Sequence, residues 1–207
     1  MKLFDRFDKV YCINLEHRQD RKINILSEII KYDLGELSFF KAFNGNDFLN
    51  PYKIPNGCFG LILSNIEIIK EAKNNNYKNI LILEDDCYFT SEVLNVDSYF
   101  DMLPDDWDML YMGGNHNTHM GEPLPKQIND KIVKLHNTFT THFVAINHIM
   151  YDLILERLLK FDTAIDVMYA EIQKTHNVYS TSTAIAKQLN GYSDIENKVV
   201  DYTWLIK

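Results

Sequence analysis

Asn79-Ile80-Leu81-Ile82-Leu83-Glu84-Asp85-Asp86-Cys87-Tyr88-Phe89 is an apolar run that stops on three consecutive carboxylates. Four aliphatic residues without polar alternation predict a strand covered on both faces, and the Asn74 to Asn76 segment supplies the turn that starts it. If the strand continues through the acids, Glu84 and Asp86 face one side and Asp85 the other, because side chains alternate across a strand. Three adjacent carboxylates repel one another, so a site that keeps them ionised needs a cation or an arginine beside it. Hard oxygen donors point to Mg²⁺ or Mn²⁺ over a soft metal. The carboxyl end of a strand is also where open α/β sheets bind ligands. The plainer alternative is a strand that leaves into a solvated acidic loop.

Upstream, Val10, Tyr11, Cys12 and Ile13 predict another buried strand over about Lys9 to Leu15. A helix follows from Arg18 to the break at Asp33-Leu34-Gly35, with Ile23, Leu26 and Ile30 recurring at i, i+3 and i+7 and Ile25 and Ile29 beside them. Arg18 and Arg21 share one face at its start, where positive charge opposes the helix dipole by some tenths of a kcal/mol each. Two partners are open to them, an anionic ligand or the neighbouring Glu16 and Asp20. A second strand over about Glu36 to Ala42 leads to Asn44-Gly45, a pair suited to positive φ. Gly57 to Lys73 then reads as a helix on Leu61, Ile62, Ile66, Ile69 and Ala72. Strand, helix, strand, helix, strand is the order of an α/β sheet with crossover helices.

Downstream, a weak helix is expected over Glu92 to Met102 and a strand over Trp107 to Met112. The loop from Gly113 to Asn129 has the length of a mobile lid, and its His116 and His119 form a His-x-x-His pair that lacks a third ligand. Lys131 to Leu135 and Thr138 to Ala145 read as two strands, the second presenting Thr140, Thr141 and His142, and His148 to Lys160 as a helix. Asp166 heads a further helical stretch, where an ordinary N-cap is its structural reading. Val178 to Ser180 and Ala184 to Gln188 suggest short strands, and a charged run after Gly191 ends in a tail, from about Asn197, with Trp204, Leu205 and Ile206.

The 207 residues suit one domain, and the hydrophobic content of 46% suits a packed core. A formal charge of -8 argues against broad binding to nucleic acid. No apolar run approaches the roughly 18 residues of a membrane span. The N-terminal residues lack the apolar stretch of a secretory signal, and Cys12, Cys58 and Cys87 form no CxxC pair, so reduced thiols and a cytoplasmic location are expected.

Several blocks together resemble glycosyltransferase family 25. They are Val10 to Leu15 with Arg18-Gln19-Asp20-Arg21, Phe40 to Gly45, Gly60 to Ser64, Leu83-Glu84-Asp85-Asp86, and Gln188 with Gly191-Tyr192-Ser193-Asp194-Ile195. The resemblance implies an α/β fold: a single GT-A-like domain with a mixed, mostly parallel sheet flanked by helices. It implies a UDP-sugar donor, most simply UDP-galactose or UDP-glucose, and an acceptor hydroxyl on a glycan or modified protein. It also implies Mn²⁺ or Mg²⁺ held by a DXD-like motif with Glu84 and Asp86 as ligands. Asn14, Arg18, Arg21, Asn44, Gly45, Ser64 and Asp85 are the expected donor-side residues, and Asp166 is the expected base of a single inverting displacement. One departure is Ser64-Asn65, where the family usually carries Ser-His. Asn cannot change charge near neutral pH, so a catalytically silent binding protein on the same scaffold is the alternative. A nucleotidyltransferase would carry a Gly-rich phosphate loop soon after the first strand, and this chain has none there.

Overall fold

The computed structural model describes residues 1–116, 124–195 and 198–202. In chain order the elements are β1 (Lys9–Asn14), α1 (Gln19–Tyr32), β2 (Ser38–Lys41), α2 (Asn56–Asn74), β3 (Asn79–Glu84), β4 (Cys87–Phe89), α3 (Val96–Phe100), β5 (Met109–Tyr111) and β6 (Asn115–His116). There follow β7 (Lys126–Gln127), β8 (Ile132–Lys134), β9 (Thr138–Phe139), β10 (Phe143–Asn147), α4 (Tyr151–Leu158), α5 (Ile165–Gln173), β11 (Val178–Thr181), β12 (Ala186–Gln188), β13 (Gly191–Ser193) and β14 (Lys198–Val200). His119 and the Trp204 to Ile206 tail lie outside the described residues, as does part of the expected lid.

The main sheet runs β2-β1-β3-β10-β5-β11-β8-β7. β1 pairs parallel with both β2 and β3, and β5 parallel with β11, while β10 and β8 run against their neighbours. This is the mixed, mostly parallel α/β sheet flanked by helices that the sequence leads one to expect. β3 sits inside it, and its unalternated run has the physical cause inferred above. Ile80 and Ile82 pack on one face with Ile62, Ile66 and Ile69 of α2 and Ile154 of α4, while Leu81 and Leu83 pack on the other with Ile25 and Ile29 of α1. Because β1, β2 and β3 are parallel, their carboxyl ends emerge along one rim, which is where the site lies.

Several expectations change with the tertiary structure. In α1, Ile25 and Ile29 are buried, whereas Ile23, Leu26 and Ile30 are exposed, so the apolar repeat that marks the helix is not its core face. The helix ends as expected, with Asp33 in the left-handed region at φ 49° and its N–H bonded to the carbonyls of Ile29 and Ile30. Neither Asn44 nor Gly45 takes positive φ. Asn44 instead caps a 3₁₀ turn through its side chain, and Gly45 is needed because an added Cβ would lie 1.8 Å from the Asn56 carbonyl oxygen. The Glu92 to Met102 helix is a 3₁₀ turn followed by the short α3. The charged segment after Gly191 forms the β13–β14 hairpin.

The expected strand from Thr138 to Ala145 is broken into β9 and β10 at Thr140, whose φ of 68° is an outlier for a β-branched residue. The buried His142 ring beside it holds Thr140 Oγ1 at 3.1 Å from Nδ1 and the Ala186 carbonyl at 3.4 Å from Nε2. Burial pushes this imidazole down to about 4. A histidine whose folded value is depressed is neutral in the fold and protonated once unfolded. Its contribution is therefore complete above pH 6.5 and is lost as pH falls toward 4, up to about 3 kcal/mol. Urea unfolding of the parent and of His142→Gln between pH 7 and 4 checks this. The parent should lose stability more steeply, and parallel curves would remove His142 as the cause.

Candidate active site

Three rim segments converge on a cavity of about 230 Å³, lined by Ile13 and Leu15 at the end of β1, Ala42 to Asn46 after β2, and Glu84, Asp85 and Asp86 at the end of β3. α1 adds Arg21, and the C-terminal hairpin region closes the side through Gln188 and Tyr192 to Ile195. That closure is tight, since a Cβ on Gly57 would come within 2.5 Å of Ile195 Cα.

The carboxylates do not alternate as a continued strand would have them. β3 ends at Glu84 and the chain turns at Asp85-Asp86, so both aspartates fall to the same guanidinium. Arg21 Nη1 donates to Asp85 Oδ1 at 2.9 Å and to Asp86 Oδ2 at 3.3 Å, and Nη2 donates to the Tyr192 carbonyl at 2.7 Å. Asn14 Nδ2 donates to the other Asp85 oxygen at 2.7 Å. Thr141 Oγ1 donates to Glu84 Oε1 at 2.9 Å. Burial raises the proton affinity of all three acids, with Asp86 adding like-charge repulsion on Glu84 and Arg21 pulling the aspartates part of the way back.

Among the described residues no three His, Cys, Asp or Glu side chains cluster as a ready metal cage. The donor set nonetheless fits a hard divalent cation. Among the described residues Asp86 Oδ1 is buried with no hydrogen-bond partner, and an anionic oxygen so placed is costly unless a cation or proton meets it. Mg²⁺ and Mn²⁺ complete their shells with water and phosphate oxygens, so one or two carboxylates suffice.

The other expected donor-side residues divide. Asn44, Gly45, Arg21 and Asp85 line the cavity. Arg18 sits at the N-cap position of α1, its guanidinium held by Asp20 and Asp194, outside the lining. Asn14 is a buried brace behind Asp85. Ser64 is buried and ties α2 to the rim, donating to the Gly60 carbonyl at 2.8 Å and accepting from the Phe43 N–H at 3.0 Å. Asn65, at the Ser-Asn departure, is buried, donates to the Leu61 carbonyl at 2.9 Å and lines neither cavity.

A second cavity, of about 420 Å³, adjoins the first and shares Glu84, Leu61, Gln188, Ser193, Ile195 and Tyr202 with it. Its far side carries Asp166, together with Asn115, Phe139, Thr140 and Thr141. The N-cap position of α5 is Ala164, so Asp166 is not the cap; it lies in the first turn, its Oδ1 accepting from the Val167 N–H at 2.9 Å. His116 stands near the second cavity on β6 and engages Thr138 Oγ1 at 2.8 Å. Sequence reasoning gave no role to Thr141, Gln188 or Asp194. Thr141 and Gln188 follow no periodicity, and Asp194 acts across 176 positions through Arg18.

No family model matches the chain. Curated relatives are of the glycosyltransferase family 25 kind that the sequence blocks resemble. A procollagen galactosyltransferase 1-A of Xenopus laevis is 30% identical over 129 residues, covering 52% of this chain and 21% of the relative. The human procollagen galactosyltransferase 2 is 23% identical over 130 residues, again 52% and 21%. The chain thus spans about a fifth of the length of these relatives. Among solved structures, protein A197 from STIV aligns over 93% of this chain and 92% of its own at 12% identity and a TM-score of 0.45.

Proposed function

We propose that this protein is a glycosyltransferase that moves a hexose, galactose or glucose, from a UDP-sugar to an acceptor hydroxyl on a glycan or modified protein, with inversion. The observation that carries the reading is the pair of adjoining cavities, one with carboxylates and Arg21 at its wall and the other with Asp166, meeting at Glu84. The named activity of the relatives supports it.

In this reading the donor occupies the first cavity, with Asn44 and Gly45 at the nucleotide end. Asp86, helped by Glu84, would hold a divalent cation. That cation, Mn²⁺ or Mg²⁺, supplies charge neutralisation to the departing diphosphate. Asp85 braces Arg21 from beneath, and Thr141 fixes the Glu84 carboxylate. Asp166 accepts the proton of the acceptor hydroxyl as its oxygen attacks the anomeric carbon. The bond from that carbon to the diphosphate oxygen breaks, and the electron pair leaves with UDP. The Arg21 and Gln188 side chains and the 191–195 segment wall the donor from solvent.

Calorimetry with UDP tests the donor side. Parent protein should bind UDP about tenfold or more tightly with Mn²⁺ than with EDTA, a difference of at least ~1.4 kcal/mol, and Asp86→Ala should close the gap. Equal affinities in the parent would sink the cation assignment. A screen of nucleotide sugars for release of free nucleotide, with and without acceptors, tests turnover and separates an enzyme from a silent binder.

A further inference from the structure

We propose that the second cavity is an acceptor subsite selective for uncharged or positively charged glycosides, that it rejects acidic ones, and that Phe139 provides the face on which the sugar ring packs. This rests on the transferase reading above. The cavity wall combines two aromatic residues, Phe139 and, where it meets the first cavity, Tyr202, with the hydrogen-bonding groups of Asn115, Thr140 and Thr141 and the carboxylates of Glu84 and Asp166. That is the composition a polyol needs. The C–H face of a pyranose packs on an aromatic ring, while amide and hydroxyl groups meet its hydroxyls.

The charge is one-sided. Among the described residues lining the cavity there is no Lys or Arg, and neither Lys187 of β12 nor Lys198 of β14 belongs to its wall. Asp166 has no ion pair among the described residues. An acceptor carrying a carboxylate or phosphate would lose solvation and face the Asp166 carboxylate without compensation, a repulsive element that discriminates by exclusion. The conformation of the wall is itself enforced. Thr140 is held in the left-handed region next to His142, and with it Phe139 and Thr141 both come to the same cavity. Unusual backbone at a β-branched residue persists where surrounding structure demands it.

Backbone amide NMR of the full chain, with UDP and Mg²⁺ present, provides the test. The probes are methyl β-galactoside and methyl β-glucoside, each set against its uronic-acid counterpart. The neutral glycosides should shift the amides of Asn115, Phe139 to Thr141, Ile165 and Asp166, and bind about tenfold or more tightly than the uronides. Asp166→Asn should strengthen uronide binding about threefold or more and leave the neutral glycosides within about twofold. Phe139→Ala should weaken the neutral glycosides about tenfold while the UDP-induced shifts at Asn44 and Gly45 persist, which shows the variant to be folded. Uronides binding as tightly as neutral glycosides would overturn the proposal. So would silence at the named amides at tens of millimolar glycoside. Absence of UDP shifts at Asn44 and Gly45 would strike at the donor reading instead, and the glycoside titrations would still decide the acceptor subsite.

Discussion

An Asp166→Asn variant should keep its melting temperature to within about 4 °C and its affinity for UDP unchanged, while transfer to an acceptor falls about 10² to 10⁴-fold. The local structure tolerates the change. Asp166 Oδ1 accepts one backbone N–H, from Val167, and an Asn oxygen accepts it equally. The charge lost lies in the first turn of α5, where it contributes about 0.3 to 1 kcal/mol through the helix dipole. The chemical role does not survive, because an amide cannot take up a proton at neutral pH. The loss should therefore appear in the maximal rate. Initial rates over a range of acceptor concentration, with thermal unfolding beside them, give the measurement. Normal transfer by the variant would reduce Asp166 to a helix-start residue, and a loss confined to acceptor affinity would make it a binding residue.

Arg21→Ala should destabilise the fold by about 3 to 5 kcal/mol, the usual result of removing one partner from a buried ion pair. Arg21 and both aspartates are mostly buried, with side-chain exposures of 16%, 8% and 8%. Without the guanidinium two carboxylates are left facing each other away from water. At about 2 to 4 °C per kcal/mol for a chain of this size, the melting temperature should fall by ~10 °C. The deficit should also depend on pH. Burial already raises the proton affinity of Asp85 and Asp86 above the unfolded values, and loss of Arg21 raises it further. The folded variant then binds more protons than the unfolded chain, so its stability falls as pH rises from about 4 through the raised values. The gap between variant and parent should therefore be widest at neutral pH and narrow in mild acid. Adding Asp85→Asn should recover part of the loss at neutral pH. A variant as stable as the parent at pH 7 would show that water or another cation replaces Arg21. If Arg21 also meets the donor phosphates, UDP should weaken about 1.5 to 3 kcal/mol more than uridine.

The sequence by itself determined the elements whose signal is local. The apolar run of β3 and its abrupt end in acids, the crossover order from β1 through α2, and the stop of α1 at Asp33 all follow from patterns within about a dozen residues. Tertiary structure decided what depends on partners far along the chain. Ile23, Leu26 and Ile30 have helical spacing as good as that of Ile25 and Ile29, and only the position of the sheet selects which stripe is buried. Glu84, Asp85 and Asp86 are legible as an acidic cluster at a strand end, but the convergence of the two aspartates on Arg21 requires a turn that the alternation of a strand does not foresee. Gly45 was legible as a special position for the wrong reason, since its constraint is the approach of the Asn56 carbonyl and not its own φ. The role of Ser64 as a brace, the Thr141 bond to Glu84 and the Arg18 pair with Asp194 are contacts between segments 21, 57 and 176 positions apart. No sequence window spans such distances, so these contacts exist only once the sheet has brought its rim segments together.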